Sequence, residues 1–105
     1  MATYRKVHVR CKFGRGGFAH ERVFWIDAPG GGSYRGLAYI DYCHSTDGSP
    51  LSGGEPPIGQ LCQGLVVAKI IDEPSSAPCT IQVPDGELCD IDPSIIEEIK
   101  SHVSI

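Results

Sequence analysis

Hydrophobic and polar residues alternate strictly near the beginning of the chain. Over residues 6–13 one face carries Val7, Val9, Cys11 and Phe13, and the other carries Lys6, His8, Arg10 and Lys12. A period of two with β-branched residues is typical of a half-buried strand. The glycines of residues 14–17 can supply the positive φ of a tight connection. A second apolar run over residues 20–26 then predicts a hairpin spanning residues 4–27.

Four later segments also predict strands, at residues 34–42, 65–71, 79–83 and 87–91. The second of them is nearly continuous Leu, Val, Ala and Ile, which suits a strand buried on both faces. Pro84-Asp85-Gly86 is a strong turn signal between the last two strands. Residues 43–63 predict a long irregular segment. Loops of such length are uncommon in compact domains and are often functional or disordered.

The end of the chain predicts a helix. Asp92-Pro93 supplies an N-cap and a first-turn proline. An apolar stripe at helical spacing follows, made of Ile95, Ile96, Ile99 and Val103. Together the elements predict a mainly β fold in a single domain over residues 1–105. We expect a small SH3-like or rolled antiparallel barrel of about five to six strands with a short C-terminal α-helix.

Composition adds an expectation about the compartment. The 105 residues are 41% hydrophobic and 21% charged, which is ordinary globular usage. No apolar run approaches the roughly 20 residues that span a bilayer, and the N-terminus lacks the apolar core of a signal peptide, so no membrane association is expected. The five cysteines contain no CxxC pair, which predicts free thiols in a reducing, cytoplasmic compartment.

Charge is distributed unevenly along the chain. The first 35 residues hold seven Lys or Arg and two acids, a balance of +5, whereas the remainder holds two basic and eleven acidic residues, a balance of −9. The polar face of the first strand is basic, and we call Lys6, His8, Arg10 and Lys12, with Arg15 in the adjoining turn, the basic strip. Three aromatic residues follow it in sequence, namely Phe18, Phe24 and Trp25.

The basic strip has three interpretations. It is a solvated edge strand, a surface for a protein partner or a second copy, or a nucleic-acid site. The net charge of −4 argues against nucleic acid, because the acidic remainder would repel a phosphate backbone. A second copy would set its acidic residues against the basic strip, drawing on Asp85, Glu87, Asp90, Glu97 and Glu98.

Metal and thiol chemistry are weakly indicated. Structural zinc sites use closely spaced Cys or His pairs, which this sequence lacks, so no metal or other cofactor is expected. One arrangement stays open, built from Cys43, His44 and Cys62, which bracket the long segment. Hydrolysis would need Cys43 or Cys62 as nucleophile and a histidine as base, and no catalytic signature surrounds either thiol.

The sequence therefore predicts a non-enzymatic β-domain that binds a protein partner or associates with itself through the basic N-terminal hairpin and nearby aromatic residues. The predicted binding residues are Lys6, His8, Arg10, Lys12, Arg15, Trp25 and Tyr34, with Trp25 and Phe18 as the apolar anchors. The alternative is a barrel that binds a small molecule or nucleic acid with residues 43–63 as a lid. A thiol- or metal-dependent enzyme is the third hypothesis.

Overall fold

The structure, a computed structural model, describes residues 5–51, 54–72 and 78–99. Eight strands lie within these ranges: β1 Lys6–Arg15, β2 Glu21–Asp27, β3 Ser33–Tyr39, β4 Cys43–His44, β5 Cys62–Asp72, β6 Cys79–Gln82, β7 Leu88–Ile91 and β8 Ile96–Glu97. Two short 3₁₀ helices accompany them, Ile40–Tyr42 and Pro93–Ile95. Among the described residues, no helix is both long enough and apolar enough to span a bilayer.

All of the strand pairs are antiparallel, and the main sheet has the order β3-β2-β1-β5-β6-β7. The sheet curls into a nearly closed barrel of six strands, which confirms the predicted fold class. β4 adds to β5, and β8 adds to β1 through the pairs His8–Glu97 and Val9–Ile96. One edge of β1 is thus shared by β2 and β8, which brings the acidic end of the chain against the basic strip.

The predicted inward face of β1 is confirmed. Its apolar residues join a core contributed by every long strand, whose largest fully buried side chains are Phe13, Phe24, Ile26, Leu65, Ile81 and Ile91. Glycine is required at two positions where a buried phenylalanine ring packs against the backbone of a neighbouring strand. A Cβ at Gly36 would lie 2.5 Å from the Phe24 ring, and one at Gly64 would lie 2.6 Å from both the Phe13 ring and the His44 carbonyl oxygen.

The N-terminal hairpin forms as predicted, but its connection lies later in the chain. β1 continues through Gly14 to Arg15, and no residue of positions 14–17 has a positive φ, so that expectation was wrong. Gly16 is needed instead because the backbone of Glu21 passes close to it. A Cβ at Gly16 would lie 2.4 Å from the Glu21 carbonyl oxygen. The turn signal at residues 84–86 is confirmed, with Gly86 at φ +94°.

The predicted C-terminal α-helix is wrong over residues 92–99. Asp92 does cap a turn, its carboxylate accepting from the Ser94 N–H at 2.9 Å. That turn is a single 3₁₀ helix, after which Ile96 and Glu97 extend and pair with β1. β-branched residues favour extended backbone, and the open edge of β1 offers backbone partners that an isolated helix lacks. The last member of the predicted stripe, Val103, lies outside the described residues.

Candidate functional site

Four side chains line up across the outer face of the sheet, one from each of four neighbouring strands. The register pairs Lys12 with Trp25 on β2 and with Gln63 on β5, and it pairs Trp25 with Arg35 on β3. Directly opposite residues project to the same side of a sheet, with Cβ atoms about 4.5–5.5 Å apart. The resulting Trp25 row, Arg35–Trp25–Lys12–Gln63, places one indole between two cations.

The indole of Trp25 rests on the backbone of β1 at Gly14. A Cβ at Gly14 would lie 3.0 Å from the indole Cζ3 and 3.2 Å from Leu61 Cδ2, so a larger residue would displace these side chains by a few tenths of an ångström. Trp25 is half-buried in this position. Leu37 and Leu61 remain 45% and 51% exposed, and they leave apolar surface open to solvent.

A groove of about 470 Å³ begins at the Trp25 row and runs along β1. Lys12, Trp25 and Gln63 line one end of this Trp25 groove, and Ile95 and Glu97 line the other. Thr46, from the segment that follows β4, forms part of the same wall. Of the segment between β4 and β5, Thr46 is the residue that reaches the groove wall, so the lid hypothesis for residues 43–63 stays a prediction.

Three of the N-terminal arginines face carboxylates of the same chain. Arg10 Nε lies 2.7 Å from Glu97 Oε2, and an Arg5 nitrogen lies 3.2 Å from Glu98 Oε1. Arg15 Nε lies 3.4 Å from a Glu55 oxygen and also donates to the Pro56 carbonyl. The C-terminal acids thus reach the basic strip within one subunit, because β8 pairs with β1.

The two cations of the Trp25 row differ from these arginines. Neither Lys12 nor Arg35 forms an ion pair within the described part of the chain, and both are exposed. The nearest carboxylate on the groove wall is that of Asp27, two residues beyond Trp25 on the same face of β2. The Trp25 row therefore carries two cations, Lys12 on the groove wall and Arg35 on the adjacent strand, and Asp27 is the acidic residue on the wall beside it.

His8 lies on the same face of β1 but is buried, with only 5% of its surface exposed. Its ring lies against that of His44, with centroids 4.6 Å apart. Burial lowers the pKa of His8, and the neighbouring charge of His44 lowers it further, while Glu97 partly opposes the shift. The Nδ1 atom of His44 is buried without a hydrogen-bond partner. Both rings line a small cavity together with Thr46 and Asp47 of the segment after β4 and Glu97 of β8.

The predicted binding residues consequently separate. Arg10, Lys12 and Trp25 come together in the Trp25 groove. His8 lies in the buried histidine pair, and Arg15 is engaged by Glu55. The remaining residues lie elsewhere: Lys6 lines a different cavity, Tyr34 packs partly buried against the core, and Phe18 is 74% exposed in the turn after β1.

The five cysteines differ in exposure. Cys62 is exposed, and the other four are buried. Burial raises the pKa of Cys43 and of Cys89 to about 11, so both thiols stay protonated near neutral pH. The described residues contain no group of three His, Cys, Asp or Glu side chains that could hold a metal ion, and this covers Cys43, His44 and Cys62.

Arg35 and Gln63 were missed at the sequence level. The signal for Arg35 was present, because counting outward from the Ala28–Gly32 connection between β2 and β3 places Arg35 opposite Trp25. No such signal existed for Gln63, because it meets Lys12 through the pairing of β1 with β5, two strands that are distant in sequence.

Comparison of the chain with known proteins found no matching family model, no matching curated protein and no matching solved structure.

Proposed function

We propose that this chain is a non-enzymatic binding domain whose Trp25 groove receives an acidic peptide segment of a partner protein. The observation that carries the proposal is the Trp25 row, in which Lys12 and Arg35 flank the chain's single tryptophan. Lys12 and Trp25 line the groove, and Arg35 lies beside Trp25 on the neighbouring strand β3. Tryptophan and arginine are enriched among the interface residues whose truncation to alanine weakens binding most.

The apolar part of the interaction would be supplied by Trp25 and the leucines beside it. The absence of a side chain at Gly14 leaves room for the indole over β1. Tryptophan has only two side-chain torsions, so its large ring supplies contact area at a low entropy cost on binding. Leu37 and Leu61 extend this surface, so a partner's aliphatic or aromatic side chain has apolar contacts next to the cations.

The polar part of the interaction favours carboxylates. Lys12 and Arg35 have no ion-pair partner in the described chain, so an incoming carboxylate would not have to displace one. Charges at a rim chiefly set the association rate and the orientation of the partner. We therefore assign the association rate, the orientation of the partner and part of the affinity to Lys12 and Arg35, and the larger part of the affinity to Trp25.

Two other occupants are less well supported. A nucleic-acid backbone would meet Asp27 and Glu97 on the groove walls and a chain of net charge −4. A second copy was expected to bring Glu97 and Glu98 to the basic strip, but those residues already pair with Arg10 and Arg5 in the same chain. The lid hypothesis for a small molecule retains one supporting feature, which is Thr46 on the groove wall.

The test is selection from a phage-displayed library of random peptides against the folded protein. We expect a consensus rich in Asp and Glu with at least one large apolar residue, and loss of that consensus against Lys12→Glu. Lys69→Glu is the matched control, since it reverses an exposed lysine outside the groove. A selection that returns no acidic consensus, or the same consensus with Lys12→Glu, would contradict the proposal. Sedimentation of the free protein tests the alternative that a second copy of the chain occupies the groove.

A further inference from the structure

A second cross-strand row at the other end of β1 places two lysines side by side. The register pairs Lys6 on β1 directly with Lys69 on β5, and Lys69 directly with Gln82 on β6. Like charges directly opposite each other on an antiparallel pair are destabilising. Both lysines are exposed, so their ammonium groups can be reached from solvent.

No carboxylate relieves this pair within the described residues. Neither lysine forms an ion pair there, in contrast to the arginines of the same strand. Both lysines line a cavity of about 300 Å³, whose wall contains no acidic residue. Tyr42 and Gln82 are the neutral polar residues of that wall, and the rest of it is largely apolar, so the surroundings of the two lysines are uncharged.

We propose that this lysine-pair cavity binds a phosphate group between the ammonium groups of Lys6 and Lys69. A phosphate monoester carries a charge of about −1.5 to −2 near neutral pH, which matches two adjacent cations. Lysine binds phosphate as a point charge and needs no bidentate geometry. The Tyr42 hydroxyl supplies a further donor on the same wall, where the Gln82 carboxamide nitrogen already donates to the Gly86 carbonyl at 3.3 Å. The ligand class is a small phosphorylated compound or free phosphate.

The lysine-pair cavity is distinct from the Trp25 groove. Lys6 and Lys12 lie six positions apart on one strand, which separates them by roughly 20 Å at about 3.3 Å per residue. The two cavities share no lining residue. Failure of the peptide-binding proposal would therefore leave this one intact, and the reverse also holds.

Thermal unfolding and isothermal titration with inorganic phosphate test the proposal, with sodium chloride added to match ionic strength. We expect the melting temperature of the native protein to rise with phosphate. Lys69→Gln should weaken phosphate binding by about tenfold or more, because a charge-assisted contact is lost. Arg15→Gln is the matched control, since it removes an exposed cation that lines neither cavity, and it should bind phosphate as the native protein does.

A second measurement separates a binding defect from a folding defect. Without phosphate, Lys69→Gln should unfold at the same temperature as the native protein or slightly higher, because it removes the like-charge pair. If phenyl phosphate binds more tightly than inorganic phosphate, the ligand is assigned as a phosphate ester. If the two bind with equal affinity, the ligand is assigned as free phosphate. The proposal is overturned if phosphate raises the melting temperature of the native protein no more than sodium chloride does at the same ionic strength. It is also overturned if Lys69→Gln binds phosphate with the affinity of the native protein.

Discussion

The imidazole rings of His8 and His44 lie with their centroids 4.6 Å apart and their planes tilted by 36°. They come from β1 and β4, which flank opposite edges of β5, so the two rings meet above the Leu65 side of that strand. Asp47, Glu97 and Glu98 line the same small cavity. The histidine pair thus lies beside the segment that follows β4 and beside the strand β8.

The histidine pair predicts a loss of stability in mild acid. The pKa of His8 lies below its ordinary value of 6.5 in the folded protein, because of burial and the nearby His44. The unfolded chain therefore takes up this proton first as the pH falls. The contribution of the neutral His8 to the free energy of unfolding is fully present above pH 6.5. It is lost as the pH falls from there toward the lowered pKa of His8 in the folded protein. Urea unfolding at a series of pH values between neutral and mildly acidic conditions measures this loss.

A pair of variants isolates the histidine contribution. His8→Phe keeps a ring against His44 and removes the titration, so the free energy of unfolding should vary less over this pH range. His20→Gln changes an exposed histidine and should leave the pH dependence as it is in the native protein. Equal slopes for His8→Phe and the native protein would show that His8 does not carry the effect.

Gly64 is predicted to be a position where alanine is poorly tolerated. A Cβ there would lie 2.6 Å from the His44 carbonyl oxygen, which belongs to the backbone, and equally close to the buried Phe13 ring. Overpacking of this kind costs about 1–3 kcal/mol. Gly30→Ala is the control, because nothing lies within 4 Å of its Cβ position. Chemical denaturation should show a clear loss for Gly64→Ala and little change for Gly30→Ala.

Attachment of β8 to β1 is predicted to depend on packing more than on charge. The ion pair of Arg10 with Glu97 is exposed, and exposed pairs contribute about 0–1 kcal/mol. Ile96 is half-buried and packs against the core, so Ile96→Ala should lower the free energy of unfolding by about 1–2 kcal/mol. Denaturant titration of Arg10→Ala and Ile96→Ala compares the two contributions. A larger loss for Arg10→Ala would reverse the assignment.

Local patterns predicted the strands, and non-local pairing determined the site. Alternation from Val7 to Phe13 was enough to identify the inward face of β1. The same pattern grouped His8 with Arg10 and Lys12, because it carries no information about which segments later cover a strand. Asp92 was identified as a cap, but a cap marks only where a turn begins. Whether a helix or a strand follows depended on the open edge of β1, a tertiary feature.

The central claim is that the Trp25 groove binds an acidic peptide, and the chain's single tryptophan reports on it directly. The measurement is a titration of Trp25 fluorescence with the acidic peptide obtained by selection, followed in parallel by anisotropy of a labelled copy. We predict a saturable change in Trp25 emission that coincides with binding. Affinity should fall by about tenfold or more with Lys12→Glu or with the peptide's acids replaced by amides, and Lys69→Glu should match the native protein. Peptide binding that leaves Trp25 emission unchanged, or that tolerates Lys12→Glu, would contradict the account.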